Sequence, residues 1–188
     1  SPYMVYFKTE DTELISTSPE TLVKLQNGRL TTFPVAGSRP RGASAKEDVA
    51  LEQELLADEK ELAEHNMLVD LARNDIGKIS SFGSVVVTDY MMIHRYSKIM
   101  HIASTVEGDM LPQYDACDAI AAILPAGTLS GAPKIRACEM IEQLEQCPRG
   151  IYGGAVGYID LTGNLDTCIA IRLAYKKHGK VYVRSGAG

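Results

Sequence analysis

A long helical segment between two groups of strand-like segments is the feature that most constrains the fold of this chain. From Glu47 to about Asp75 the sequence is rich in Glu, Leu, Ala and Lys, which favour helices. Its apolar residues recur at spacings of four and seven, as they do on one face of an α-helix. They are Leu51, Leu55, Leu62 and Val69. Before this helix, an Asn-Gly pair at 27–28 separates two apolar runs, 22–25 and 30–33, and predicts a β-hairpin.

The rest of the chain continues this mixture of strands and helices. We expect the Gly-, Pro- and Arg-rich stretch 34–42 to be a loop. We expect the last three strands to be neighbours. Clustered strands with a few helices between them indicate a mixed α/β (α+β) protein. The other predicted strands are 3–7, 13–16, 85–88, 100–106, 153–159, 167–175 and 180–183, and the other predicted helices are 115–124 and 133–144.

Composition excludes several classes of protein. The chain has 188 residues, of which 45% are hydrophobic, so it can bury a substantial core. No apolar run approaches the roughly 18 residues of a membrane span, and no N-terminal segment has the pattern of a signal peptide. The net charge of −5 argues against a nucleic-acid binder. The four cysteines form no C-x-x-C pair, and we expect reduced, mostly buried thiols in a cytoplasmic protein.

Acidic residues on the long helix are candidate metal ligands. Asp58, Glu61, Glu64 and His65 are three or four residues apart, so they share a helical face. Carboxylate oxygens suit Mg²⁺, whereas one histidine is a poor basis for a zinc site. An exposed acidic face without a ligand explains the same spacing.

Three further features have a functional and a structural interpretation. The loop 127–133, followed by Lys134, is either a cradle for a phosphate or carboxylate or an ordinary loop. His101 lies in an apolar strand and is either a packed core residue or a functional one. Arg172 is expected at an inward position of a buried strand, where it needs a partner, either a structural carboxylate or one of a ligand.

A series of short motifs runs along the whole chain. They are AGSRPRG (36–42), DEKELAEH (58–65), DLARND (70–75), YSKIMH (96–101), GTLSGAPK (127–134), RGIYGG (149–154) and GAG (186–188). Considered together, these motifs resemble those of chorismate-utilising enzymes and, within that family, those of the synthase component of anthranilate synthases. The resemblance covers the whole chain, and it implies a sandwich of mostly antiparallel sheets flanked by helices, with residues 1–188 as part of the catalytic domain.

The resemblance also implies a reaction and its site residues. Chorismate and ammonia would give anthranilate and pyruvate in tryptophan biosynthesis, with ammonia supplied by a glutamine amidotransferase subunit. Glu20 matches the general acid, and His101 a histidine that assists it near the departing C4 hydroxyl. Glu64 matches a Mg²⁺ ligand, and Glu61 lies one turn before it. The positions that match substrate contacts are Gly37, Ser38, Thr128, Tyr152, Arg172, Gly186, Ala187 and Gly188.

Some alternatives stay open. Aminodeoxychorismate synthases usually carry Lys where this chain has Ala36, which favours the anthranilate interpretation. Isochorismate and salicylate synthases need a water-activating Lys in a segment before Ser1. Another alternative is a fragment of the family that folds without turnover.

The chain ends give a last set of expectations. Pro2, Tyr3 and Met4 resemble half of the family's site for tryptophan as an inhibitor. A second metal-binding glutamate would lie beyond Gly188. We therefore expect the chain to be truncated at both ends, and the 188-residue polypeptide to be inactive by itself.

Overall fold

Two antiparallel sheets form the framework of the chain, for which a computed structural model describes residues 1–186. The smaller sheet contains β1 (Val5–Lys8), β2 (Thr12–Ser16), β10 (Leu173–Lys177) and β11 (Lys180–Val183), in that order. The larger sheet contains β3 (Thr21–Gln26), β4 (Arg29–Thr32), β5 (Val35–Pro40), β6 (Val86–Arg95), β7 (Ile99–Asp109), β8 (Ala155–Ile159) and β9 (Leu165–Ile169). Its order is β5-β7-β4-β3-β9-β8, and β6 pairs with the other side of β7.

Every strand pair in the described residues is antiparallel. Four α-helices accompany the sheets: α1 (Ala45–Ala57), α2 (Glu59–Gly77), α3 (Ala116–Ile123) and α4 (Lys134–Glu145). The predicted mixed α/β fold with mostly antiparallel sheets and flanking helices is therefore confirmed. No helix among residues 1–186 combines the length and apolarity that crossing a bilayer requires.

The main core lies where α2 and α3 cover the larger sheet. Leu30 of β4, Val106 of β7 and Ile76 of α2 have no exposed surface. Ala119 of α3 is also fully buried, and its small side chain lets α3 approach β3 closely. Burying a side chain such as Leu or Ile contributes about 1.5–3 kcal/mol, so this contact holds α2 firmly against the sheet.

The single helix predicted over 47–75 is in fact two helices, and the prediction was wrong at Asp58. This residue has an extended backbone, with φ −79° and ψ 101°, between α1 and α2. Its carboxylate accepts hydrogen bonds from the backbone N–H groups of Lys60 and Glu61, at 3.1 and 3.2 Å. Asp58 therefore caps α2 rather than joining its acidic face, because the first turn of a helix has free N–H donors.

The prediction of a loop over 34–42 was also wrong, because residues 35–40 form β5. This strand pairs with β7 and has an irregularity between Ala36 and Ser38. Gly37 lies at that bulge with φ 73°, in the left-handed region that suits glycine. Composition alone indicated a loop since the pairing that creates the strand is with residues far along the chain.

The three neighbouring strands predicted near the end of the chain are four strands in two sheets. The expected strand 167–175 is divided into β9 and β10, and the chain crosses from the larger to the smaller sheet between them. The turning point is Arg172, which has φ 48°. A residue at positive φ ends the extended conformation, so one uninterrupted strand does not form.

The cysteines differ in part from the prediction. All four are free, as expected. Only Cys168 is buried, however, while Cys117 and Cys147 are exposed and Cys138 is half-buried. The prediction of mostly buried thiols was therefore wrong.

Candidate functional site

A cavity of about 520 Å³ lies where β5, β7 and the β9–β10 crossover meet, and we call it the Glu20 cleft. It brings together six of the candidate residues from distant parts of the chain. Segments before β3, after the β5 bulge and within β7 each contribute a polar side chain. The candidate residues that line it are Pro2, Glu20, Gly37, Ser38, His101 and Arg172.

Glu20 has the most altered acidity in this cleft. Burial raises the pKa of its carboxyl group from 4.5 to about 7, and the Thr128 hydroxyl and the positive charge of Arg172 only partly oppose this shift. The backbone of Glu20 is held firmly, since its carbonyl accepts from the N–H of Ile169 at 3.0 Å. Its side chain is therefore protonated for much of the time near neutral pH, as a general acid must be.

His101 lies on β7 directly opposite Ser38 of β5. Its Nδ1 donates to the backbone carbonyl of Gly37 at 3.2 Å, so the neutral ring carries its proton on Nδ1 and leaves Nε2 as an acceptor. Burial lowers the pKa of His101, and Arg172 lowers it further, although the bond to Gly37 opposes the change. His101 is therefore a neutral, oriented imidazole at neutral pH.

Gly37 brings β5 close to the acidic helix. A Cβ atom at this position would lie 3.1 Å from Leu55 and 3.2 Å from Oε2 of Glu61. Arg39, two residues later, binds Asp58 at 3.0 Å and fixes the start of α2 against the same strand. The Glu61 carboxylate consequently lies next to Gly37, which lines the Glu20 cleft.

Arg172 is exposed at the β9–β10 crossover, not inward on a buried strand as predicted. No carboxylate of residues 1–186 forms an ion pair with it. The described residues therefore do not form the internal ion pair that was the structural alternative for Arg172. Its guanidinium group is available to a carboxylate that enters the cleft.

A second cavity of about 700 Å³ lies between α2 and α4, and we call it the Glu64 cleft. Four candidate residues line it: Glu64, Thr128, Tyr152 and Gly186. Tyr152 is buried. Its hydroxyl oxygen would lie 3.0 Å from a Cβ at Gly186, so the backbone at Gly186 approaches the phenol closely. Ala187 and Gly188, also predicted to bind substrate, lie outside the described residues.

Thr128 connects the two clefts. It lines the Glu64 cleft, and it shares with Glu20 a small pocket between them. Its Oγ1 is buried and has no hydrogen-bond partner among the described residues, although it is near enough to Glu20 to affect the acidity of that carboxyl group. A buried hydroxyl group normally has a hydrogen-bond partner, and the Glu20 carboxyl group is a polar neighbour that could serve as one.

Glu61 and Glu64 are the candidates for holding Mg²⁺. Glu61 is half-buried toward Gly37, while Glu64 is exposed in its cleft. Neither forms an ion pair with a cation of residues 1–186, and that range contains no group of three metal-binding side chains. Mg²⁺ commonly takes one or two carboxylates and completes its shell with water and substrate oxygens. The two glutamates fit part of such a site.

The loop 127–133 does not present Lys134 to a phosphate. The Lys134 ammonium binds Asp75 at 2.6 Å and donates to the carbonyls of Ile123 and Pro125 at 2.8 and 2.7 Å. These three bonds use all of its donors. Lys134 therefore has a structural role at the end of α3, and the phosphate-cradle interpretation is wrong for this residue.

The predicted half-site for tryptophan is divided among three environments. Pro2 lines the Glu20 cleft, and Met4 is 83% exposed. Tyr3 is half-buried, and its hydroxyl donates to Asp166 at 2.7 Å and lies 2.8 Å from Oγ1 of Thr21. Burial raises the pKa of Tyr3, so its hydroxyl stays protonated as a donor.

Sequence reasoning missed two residues that line the Glu64 cleft, Glu145 and Arg149. They form an ion pair at 2.7 Å, between the last residue of α4 and a residue of the loop that follows. A spacing of four suggests a pair within a helix, but Arg149 lies beyond the end of α4. The sequence gives no indication that the pair lines a cavity.

Comparison with known proteins identifies the family of this chain. The family model described as chorismate binding enzyme matches residues 1–188. The chain belongs to this family.

Individual relatives agree with that assignment. The chain is 54% identical over 188 residues to anthranilate synthase component 1 of Pseudomonas aeruginosa and 55% identical to that of Acetivibrio thermocellus. All of the chain is covered in both comparisons, but it spans only 38% of the length of either relative. A crystal structure of anthranilate synthase component I from Streptococcus pneumoniae matches with a TM-score of 0.90 and 49% identity. That match covers 100% of this chain and 41% of the other.

Proposed function

We propose that this chain is part of the synthase component of an anthranilate synthase, which converts chorismate and ammonia into anthranilate and pyruvate. The observation that carries the proposal is Glu20, a carboxyl group with a pKa of about 7 in one cavity with His101 and Arg172. The names of the relatives support the choice within the family.

The residues of the two clefts have complementary parts in this reaction. Arg172 and the Tyr152 hydroxyl bind the carboxylates of chorismate, and the Thr128 hydroxyl contacts the ring. A C–N bond forms as ammonia attacks the ring, and the C4–O bond breaks. Glu20 gives its proton to the departing C4 hydroxyl, which leaves as water. His101 orients that hydroxyl through Nε2. Pyruvate is then eliminated, and the ring becomes aromatic.

Mg²⁺ belongs to the same proposal. Glu64 and Glu61 would hold the ion, which when bound withdraws electrons from the ring through its carboxylate. The side chains of these glutamates contribute hard oxygen ligands from one helical face.

Ala36 favours an anthranilate synthase over an aminodeoxychorismate synthase, which usually carries a nucleophilic Lys at this position. It lies in the lining of the Glu20 cleft next to Gly37 and is 8% exposed. Its methyl group offers no nucleophile, so the chain cannot attack the substrate from this position. The proposal includes a glutamine amidotransferase subunit, which would supply the ammonia. It also includes tryptophan as an inhibitor that contacts residues 2–4. A cytoplasmic location stays a prediction from the sequence.

The test is product identification with the intact protein, supplied with chorismate, ammonium and Mg²⁺. We expect anthranilate, detected by its fluorescence and identified by mass spectrometry. Glu20→Gln should lower kcat about a hundredfold or more, because a positioned proton donor contributes about 10²–10⁴. Glu10→Gln, at an exposed turn before β2, is the matched control and should leave kcat unchanged. Accumulation of aminodeoxychorismate, or normal turnover in Glu20→Gln, would contradict the proposal.

A further inference from the structure

The Glu145 carboxylate lies at the junction of four segments that surround the Glu64 cleft. Arg149 approaches it with two donors, with Nε at 3.0 Å from Oε2 and Nη2 at 2.7 Å from Oε1. Arg184, after β11, also donates to Oε2. One carboxylate therefore binds two guanidinium groups from different parts of the chain. All three side chains are about 26–30% exposed.

The two arginines reach beyond Glu145 to other walls of the cleft. Nη1 of Arg149 donates to the carbonyl of Leu129 at 2.7 Å, in the short helical turn that also contains Thr128. The Arg149 guanidinium also lies 6.0 Å from the centre of the Tyr152 ring. The Arg149 side chain thus links the turn that contains Thr128 with the ring of Tyr152.

Arg184 fixes the fourth segment. Its Nη1 donates to the carbonyl of Pro148 at 3.0 Å, beyond the end of α4. Gly186 follows two residues later, against the Tyr152 hydroxyl. The segment 184–186 belongs to neither a strand nor a helix, so it has no sheet ladder to hold it. Its side-chain bonds are the described contacts that anchor it to α4.

We propose that Glu145 is a positioning residue for substrate binding, which holds the Thr128 turn, Tyr152 and Gly186 in register around the Glu64 cleft. Glu145 acts through Arg149 and Arg184. Its role for substrate rests on the proposed function, whereas its role in ordering the cleft does not. The chemistry suits the task because charge-assisted, bidentate hydrogen bonds fix both distance and angle. An exposed surface ion pair lacks that effect.

The test compares Glu145→Gln with Glu139→Gln in the intact protein. Glu139 is the matched control, since it forms an exposed ion pair with Arg136 on the same helix. Hydrogen–deuterium exchange, followed by mass spectrometry, reports on the cleft without any substrate. Glu145→Gln should raise the exchange rate about fivefold or more in 127–131 and 150–154 through local opening. Exchange in α2 should match the wild type.

Kinetics supply the second readout. Glu145→Gln should raise KM for chorismate about tenfold while kcat changes less, the pattern of lost ground-state binding. Glu139→Gln should match the wild type in both. If Glu145→Gln raises exchange only in the last turn of α4, with KM equal to that of Glu139→Gln, the inference is refuted. If the wild type forms no anthranilate, the proposed function is refuted. The exchange measurement would then still decide whether Glu145 orders the Glu64 cleft.

A milder variant keeps the inference testable if Glu145→Gln does not fold. Arg149→Gln removes one guanidinium group and leaves the Arg184–Glu145 bond in place. Exchange should rise in 127–131, because the N–H groups of Leu129, Ser130 and Gly131 are hydrogen-bonded within a turn that Arg149 holds. Unchanged exchange in 127–131 would show that Glu145 does not order this turn through Arg149, and would also refute the inference.

Discussion

The unusual acidity of Glu20 can be measured as a change in stability, without substrate. Its pKa is about 4.5 in an unfolded chain and about 7 in the folded protein. A raised pKa in the folded state means that the stabilising contribution is complete below the unfolded pKa and is lost as pH rises through the folded pKa. Ionised Glu20 therefore opposes folding at pH 8 much more than at pH 5.

The size of the effect follows from the two pKa values. Between pH 5 and pH 8, linkage gives a loss of about 2.5 kcal/mol from this one carboxyl group. Glu20→Gln has no charge to lose, so it should become more stable relative to the wild type by that amount as pH rises. Gln also keeps the shape of the side chain, so little packing changes.

The measurement is urea unfolding at several pH values, followed by circular dichroism. The difference between the two proteins isolates Glu20. His65 titrates in the opposite sense because burial lowers its pKa to about 4, but it is present in both and cancels. The pKa of Asp48 is about 2, since it binds Arg41, so Asp48 stays ionised throughout. A difference in unfolding free energy that stays constant within about 0.5 kcal/mol from pH 5 to pH 8 would show that Glu20 is not shifted.

Three other predictions use separate parts of the molecule. Glu64→Gln should remove most Mg²⁺-dependent activity while the far-ultraviolet circular dichroism stays unchanged; an unaltered Mg²⁺ titration would exclude Glu64 as a ligand. His101→Ala should lower kcat about a hundredfold with a smaller change in KM, and steady-state kinetics that show only a KM effect would assign it to binding alone. Gly157→Ala would place a Cβ 2.1 Å from the Asp166 carbonyl oxygen. It should cost about 3 kcal/mol, so thermal melting equal to that of the wild type would disprove this clash.

Local sequence signals predicted the elements whose cause is local. The 22–33 hairpin is confirmed, because Asn27 and Gly28 both have positive φ, 51° and 80°, as a type I′ turn requires. The helix at 115–124 is also confirmed, as α3. Its capping box joins Asp115 and Asp118, three residues apart.

The mispredicted elements either depend on distant partners or contain a residue type that suits two conformations. β5 exists because β7, more than sixty residues later, offers hydrogen-bonding groups to it. The break at Asp58 depends on a choice between an exposed helical aspartate and an N-cap, and the same residue type suits both. Arg172 interrupts a strand-like sequence at a positive φ that an arginine does not signal.

The candidate site follows the same division. Glu61 and Glu64 could be paired from their helical spacing, whereas Glu145 ends α4 and Arg149 lies in the loop beyond it. The meeting of Glu20, His101 and Arg172 in one cavity has no local signature, so only the family resemblance grouped them beforehand. The contact of Arg184 with Glu145 is likewise a product of tertiary structure, and neither residue was a candidate.

The β5 bulge explains how the two groups of candidate residues come to lie close together. Gly37 has no side chain, and this leaves room for the side chains of Glu61 and Ile102, both of which a Cβ there would crowd. Its carbonyl accepts the Nδ1 proton of His101, which fixes the direction of the imidazole. The same residue therefore sets the distance between the acidic helix and the strand that carries His101. Because only glycine readily takes φ 73° with so little space, the backbone at this residue determines where the candidate Mg²⁺ ligand Glu61 lies relative to the candidate His101.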